Sequence, residues 1–206
     1  MTSRLVITPW DGKNQNFLDR CKESVAESGV EHRIVRCGPE WSVTMFSMRN
    51  DADAIAWVDA DDIVYPGALI QSFETLEQNN VGLVHTDECR IDVNDKQMSI
   101  STSGTKSLWD LASHPGCVHH LVVTKKNTIT ERALEVYNEL KIPLDWAMKV
   151  DAGARYGIKH VPILGYGWRI HATQITSTSA RHLLMRDSLQ SARNYFREWV
   201  TGIKQT

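Results

Sequence analysis

The stretch Ala54-Ile-Ala-Trp-Val-Asp-Ala-Asp-Asp62 decides the fold. Its first five residues form a continuous apolar run, the signature of a strand covered on both faces. The next four, Asp59-Ala60-Asp61-Asp62, set three carboxylates at the carboxyl end of that strand. Ligands of open α/β sheets bind outside the carboxyl ends of strands. Like charges packed this closely repel, and a divalent cation among them removes the penalty. In extended backbone Asp59 and Asp61 point the same way, so two oxygen ligands align. Such a pair suits Mg²⁺ or Mn²⁺, which complete their shells with water and substrate phosphates. The bland alternative is that Asp61 or Asp62 only caps the next helix or closes an Asx turn. The same spelling occurs at Asp51-Ala52-Asp53, but ahead of the strand, where it is expected to shape a turn and carry no chemistry.

Outward from this stretch, strands alternate with helices. Arg4 to Thr8 reads as a strand, stopped by Pro9 and Asp11-Gly12. Phe17, Cys21 and Val25 follow at helical spacing, with Asn14 or Asn16 as cap and Gly29 as terminator. His32 to Cys37 is a second strand, ended by Gly38-Pro39, and Trp41 to Met48 is helical. Beyond the aspartates, Pro66 opens a helix that buries Leu69, Ile70, Phe73 and Leu76. Val81 to His85 is a strand, and Arg90 to Ile100 a hairpin around Asn94-Asp95. Pro143 separates a helix over Thr130 to Lys141 from one over Leu144 to Tyr156; Ile158 to Leu164 then returns as a strand. This order predicts one α/β domain over residues 1–176 with a mostly parallel central sheet. Residues 177–206 form a C-terminal amphipathic helix with Met185, Leu189, Ala192, Phe196 and Trp199 as its apolar row.

Lys plus Arg number 23 against 25 Asp plus Glu in 206 residues, a formal net charge of −2 that excludes a bulk polyanion binder. Hydrophobic residues at 42% and charged residues at 23% describe a folded chain, not a disordered one. The seven tryptophans outnumber tyrosine and phenylalanine, supplying rigid contact area for a core or for ligand faces. No apolar run reaches the length of a membrane span, and Leu5-Val6-Ile7 is too short for a signal-peptide core. Cys21, Cys37, Cys89 and Cys117 include no CxxC pair, so no zinc ribbon is expected. Free thiols and no Asn-x-Ser/Thr sequon lead us to expect a reducing, cytoplasmic setting. In the last helix Arg181, Arg186, Arg193, Arg197 and the following Lys204 outweigh Asp187 and Glu198. They are either a solvated face or a contact for an anionic acceptor such as nucleic acid, a lipid headgroup or a phosphorylated glycan.

The segment Ala56-Trp-Val-Asp-Ala-Asp-Asp-Ile-Val-Tyr-Pro-Gly-Ala-Leu69 resembles the DxD segment of family-2-type glycosyltransferases of the GT-A, Rossmann-like fold. Other pieces fall in matching order. Val6-Ile-Thr8-Pro9 resembles the first strand and its nucleotide-facing loop. Arg49-Asn50 resembles an Arg-Asn pair ahead of the DxD strand. Pro143-Leu-Asp145-Trp146 resembles the motif that supplies the base, with Leu where Glu is usual. Tyr166-Gly-Trp-Arg-Ile-His171 resembles the late segment whose histidine joins the metal. The resemblance covers about residues 4–176. It implies a nucleoside-diphosphate-sugar donor, a UDP-sugar foremost, with Mn²⁺ or Mg²⁺ on Asp61 and His171. Asp59 would contact the ribose, or the metal through water, and Thr8, Pro9, Arg49 and Ala60 would also face the donor. The second strand lacks the acidic end that often reads the base in this family, and Asp11 is its expected substitute. Asp145 would take the proton of the acceptor hydroxyl, implying inversion. A helix N-cap is the bland reading of Asp145. Trp146 is a candidate to stack on an acceptor sugar or to fill the core. His119, with His114 and His120 around Gly116-Cys117, is expected on an acceptor-side loop. The acceptor itself is open among polysaccharide, lipid, protein and modified DNA bases.

Two other classes compete. A haloacid-dehalogenase-like phosphatase would use Asp59 as a nucleophile, but Ile63 stands in its fifth motif position and two strands precede the motif. A non-catalytic sugar-nucleotide-binding protein would have no use for Asp145.

Overall fold

The apolar runs of the sequence become the middle of an eight-stranded sheet. A computed structural model of the chain describes residues 2–37, 41–101, 104–114, 117–118, 121–140, 142–172 and 179–203; for 41–42, 100–101, 179–189 and 203 it describes the backbone alone. The elements are β1 (Arg4–Trp10), α1 (Gln15–Ala26), β2 (Glu31–Arg36), α2 (Trp41–Ser47), β3 (Ala54–Trp57), β4 (Ile63–Val64), α3 (Ala68–Asn79), β5 (Leu83–Ile91), β6 (Gln97–Ser101), α4 (Leu108–Ser113), β7 (Val122–Lys125), α5 (Glu131–Leu140), α6 (Leu144–Tyr156), β8 (Ile158–Arg169) and α7 (Ser179–Ile203). The sheet order is β2-β1-β3-β7-β5-β8-β4, with β6 paired to β5.

The sheet is mixed, which corrects the expectation of a mostly parallel one. β1 is parallel to β2 and β3, and β5 is parallel to β8. β7 lies antiparallel between β3 and β5, while β4 and β6 are antiparallel to β8 and β5. β7 is four residues long, too short for its periodicity to announce a strand. Because β7 opposes both neighbours, β1, β2, β3, β5 and β8 all run the same way. Their carboxyl ends share one edge. α1, α3 and α6 start at that edge and run back to feed β2, β5 and β8.

One face of the sheet is covered by α1 and α3, with Val6, Cys21, Val25, Ala56, Phe73 and Leu76 in its core. Of the four residues expected to be buried in α3, Leu69, Phe73 and Leu76 point inward, while Ile70 is only half-buried. Burying Phe73 contributes about 1.5–3 kcal/mol, which a charged replacement would forfeit. The other face carries α4 to α7, where Val136, Trp146, Val150, Phe196 and Val200 pack together. Ala192 and Phe196 from the expected row of α7 are buried and Trp199 is partly so. The side chains of Met185 and Leu189 lie outside the described residues.

β8 runs five residues past its expected end at Leu164. Gly165 and Gly167 make that possible. A Cβ on Gly165 would sit 2.3 Å from Thr86 Oγ1, and one on Gly167 would sit 2.8 Å from Ile63 Cγ1. Without side chains the two residues let β8 close on β5 and β4. Among the described residues no helix is long and apolar enough to cross a membrane.

Candidate active site

β3 delivers the aspartates to the shared carboxyl edge. The Val58 N–H donates to Ile7 O at 3.1 Å, so β1 holds the chain up to the motif. There the strand turns, and Asp62 N–H donates back to Asp59 O at 3.2 Å. One carboxylate oxygen from each of Asp59, Asp61 and Asp62 lies within 4.8 Å of the others. His171, just past β8, places Nε2 2.8 Å from Asp61 Oδ2. Its ring packs on Phe17 of α1 at 5.0 Å between centroids. The residues read as metal ligands, Asp59, Asp61 and His171, are thus brought to one place from elements far apart in the chain.

The electrostatics of this place are strained in one direction. Burial, then the charge of Asp59, pushes the Asp61 carboxyl above its usual range, against the pull of His171. Burial and the charges of Asp61 and Asp59 push Asp62 well above it. Hydrogen bonds from the Arg169 N–H and the Tyr166 hydroxyl offset this only in part at Asp62. A cation of two charges relieves this repulsion. Two ligands at right angles about a metal with bonds of about 2.1 Å stand about 3 Å apart, close to the Asp61–His171 separation. The donor set and its spacing fit a divalent cation.

Asp145 occupies the first turn of α6, whose start lies at the same edge. Its carboxylate is half-exposed and pairs with Lys149 Nζ at 3.1 Å. Lys149 is buried, and its Nζ also donates to Val118 O at 3.1 Å. This lysine ties the expected base to the segment preceding β7.

Three donor- or acceptor-facing expectations are corrected. Arg49 follows α2 and therefore lies at the opposite edge of the sheet. Its Nε donates to Ile129 O at 3.1 Å, its Nη1 to Phe46 O at 3.0 Å, and its Nη2 pairs with Glu131. The guanidinium also lies 3.8 Å over the Phe46 ring, so it joins α2 to the entry of α5, at the edge away from the aspartates. Trp146 is fully buried; its indole N–H donates to Leu111 O at 2.7 Å and its ring meets Phe196 edge-on. It fills the core and offers no face to a sugar. Thr8 is buried as well, with Oγ1 2.9 Å from His32 Nε2, so its side chain does not face the edge. Burial holds that histidine at a pKa of about 4.

Pro9 is half-buried near the end of β1, and Asp11 is exposed beyond it, accepting from Lys13 N–H at 2.9 Å. Ala60 sits half-buried in the turn of the motif. His119, His120, Gly38-Pro39 and Lys204 lie outside the described residues, as do the side chains of Arg181 and Arg186. Arg197 donates to Ser113 Oγ at 3.3 Å and covers Trp109.

Two groups escaped the reading of the sequence. Tyr166 and Arg169, quoted there only as part of a motif, are fully buried against the aspartates. His85, His160 and Asp87 form the other. His85 is buried, stacks on His160 at 4.9 Å and is held by burial at a pKa of about 4. His160 Nε2 meets Asp87 Oδ1 at 2.9 Å. The only signal for this group in the sequence was two polar residues inside apolar strands.

A sheet edge of this build, with an acidic turn after β3, is that of the GT-A fold. Among solved structures, S. aureus TarS 1–349 superposes with a TM-score of 0.56 at 10% identity, covering 81% of this chain and 60% of that one. Its complex with UDP-GlcNAc gives 0.56 at 9% identity over 87% of this chain and 61% of that one, and its complex with UDP gives 0.55 at 10%, over 82% and 61%. The chain thus spans about three fifths of the length of those structures. No protein-family model matches it, and no curated protein matches it in sequence.

Proposed function

We propose that the chain is a metal-dependent, inverting glycosyltransferase that moves a sugar from a nucleoside-diphosphate sugar to an acceptor hydroxyl. The observation that carries this is the meeting of Asp61 with His171, beside Asp59, at the carboxyl edge of a GT-A sheet. The TarS structures with UDP-GlcNAc and UDP make a UDP-sugar the first donor to test. Asp61, His171 and Asp59 would hold the cation, and one imidazole beside two carboxylates tilts the set toward Mn²⁺. When bound, that cation neutralises charge on the departing diphosphate.

The remaining steps belong to the protein. Asp145, open to solvent at the same edge, accepts the proton of the acceptor hydroxyl as that oxygen attacks the anomeric carbon. The bond from the anomeric carbon to the diphosphate oxygen breaks on the opposite side. One base and one leaving-group site imply inversion. Lys149, paired with Asp145, holds its carboxylate in place before the acceptor arrives. Cys21, Cys37, Cys89 and Cys117 are free thiols, consistent with a reducing, cytoplasmic setting.

A thermal-shift panel over nucleotide sugars, with and without Mn²⁺, tests the reading. A UDP-sugar should raise Tm only when Mn²⁺ is present. If no nucleotide sugar raises Tm in Mn²⁺, the class is wrong.

A further inference from the structure

Three aspartates stand in the motif, yet they do not meet the rest of the protein in the same way. Asp59 and Asp61 are half-exposed at the edge, whereas Asp62 is 1% exposed. Asp62 Oδ1 accepts the backbone N–H of Arg169 at 2.7 Å. The Arg169 side chain is fully buried, and its Nε donates to the Asp61 carbonyl at 2.6 Å. Nη1 donates to Asp92 O at 3.0 Å and Nη2 pairs with Asp95 Oδ1 at 2.5 Å, both in the β5–β6 turn. Phe17 lies under the guanidinium at 4.7 Å, and the same ring supports His171. Three residues earlier, the buried Tyr166 hydroxyl accepts the Asp59 N–H at 3.0 Å. β8 therefore grips the acidic turn at Asp59, Asp61 and Asp62 and then supplies His171.

These contacts act on the backbone of the turn. A peptide whose carbonyl is fixed by Nε and whose neighbour is fixed at its N–H has little freedom left to swing the Asp61 side chain. Burying an arginine costs several kcal/mol unless its donors are all satisfied, so its placement here calls for a return. Supporting groups that orient metal ligands give such a return, since losing them weakens metal binding about 10–100-fold.

We propose that Arg169 and Tyr166 are positioning residues that preset Asp59, Asp61 and His171 for a divalent cation, and that Asp62 is the buried anchor of this brace, not a third ligand. The inference rests on the metal site of the proposed function. It divides the three carboxylates into two that hold the cation and one that holds the protein.

Mn²⁺ titrated into the full chain, alone and with saturating UDP, tests it. Free Mn²⁺ is read by electron paramagnetic resonance, and Tm is read in parallel. Arg169→Lys keeps the charge but loses the Nε contact, and it should weaken Mn²⁺ about 10–100-fold. Tyr166→Phe removes only the hydroxyl and should weaken Mn²⁺ in the same direction, deciding the matter should the arginine variant not fold. Asp62→Asn should lower Tm and weaken Mn²⁺ far less than Asp61→Asn, which should abolish binding. Wild-type affinity in a folded Arg169→Lys or in Tyr166→Phe overturns the brace. So does a folded Asp62→Asn that loses Mn²⁺ as completely as Asp61→Asn. Failure of the wild-type chain to bind Mn²⁺ under either condition instead overturns the metal site itself.

Discussion

The tripeptide Asp-Ala-Asp occurs on both sides of β3, and its two copies do opposite things. Before the strand, Asp53 accepts from the Ser3 N–H and Oγ at 2.9 Å each, and Asp51 pairs with Arg33 at 2.6 Å. Those carboxylates are consumed in tying the entry of β1 and the strand β2 to the turn before β3. After the strand, Asp59 and Asp61 crowd with Asp62, and the nearest help is a histidine. Identical spelling thus yields a clasp at one end and a charged cradle at the other. The strand's direction makes the difference: only its carboxyl end opens onto the edge where five parallel strands finish.

Breaking the cradle should cost most. Asp61→Asn should lower kcat/KM for sugar transfer about 10⁴-fold, the scale of lost charge stabilisation on a leaving diphosphate. Asp145→Asn should cost about 10³-fold in kcat while Mn²⁺ binding stays intact, because a general base acts on the acceptor alone. At the clasp end, Arg49→Met should remove about 2 kcal/mol of stability by stranding the carbonyl of Ile129 and losing the cation over the Phe46 ring, with donor KM unchanged. A changed donor KM would return Arg49 to the donor site. Asp53→Asn should be the mildest, lowering Tm by a few degrees with transfer unaffected.

The two ends should also titrate in opposite senses. Hydrogen bonds from Ser3 hold Asp53 below the usual carboxylate range, while burial and Asp59 hold Asp61 above it. Asp53 therefore adds stability at neutral pH that is lost as pH falls through its lowered pKa. Asp61 does the reverse: its ionisation as pH rises disfavours the metal-free fold. Carboxyl-carbon NMR should show the two midpoints on either side of the ordinary value. Adding Mg²⁺ should pull the midpoint of Asp61 down and leave that of Asp53 in place.

Much of the cradle was legible in the sequence because it is local. An apolar run ending in acid needs only strand direction to be read, and residues 54–62 carried it. The late Tyr166-to-His171 segment was placed by resemblance. What stayed hidden acts across distance. Tyr166 and Arg169 reach residues more than a hundred positions away, and no local pattern announces such a partner. The strand was expected to end at Leu164, ahead of Gly165 and Gly167, since glycine weakens strands in general; here the neighbouring Thr86 and Ile63 leave no room for anything else. Arg49 was misplaced because adjacency to the DxD strand in sequence is not adjacency to its active end. Trp146 shows the same limit. Its position beside Asp145 suggested a sugar platform, but one helical step turns it from the edge into the core.

The pairing of β5 with β8 has a consequence for insertions and deletions. From Thr86 to Glu88, β5 advances two residues while β8 advances five, from Val161 to Tyr166. The excess is odd, and along a strand an odd step exchanges the two faces. The spacer Pro162 to Gly165 therefore works as a phase-setter: its length, more than its composition, decides which way everything downstream points. Removing one residue there would keep every ligand in the chain yet bring Tyr166, Arg169 and His171 round to the wrong side. Lineages carrying this site can be expected to vary the letters of that spacer far more freely than their number.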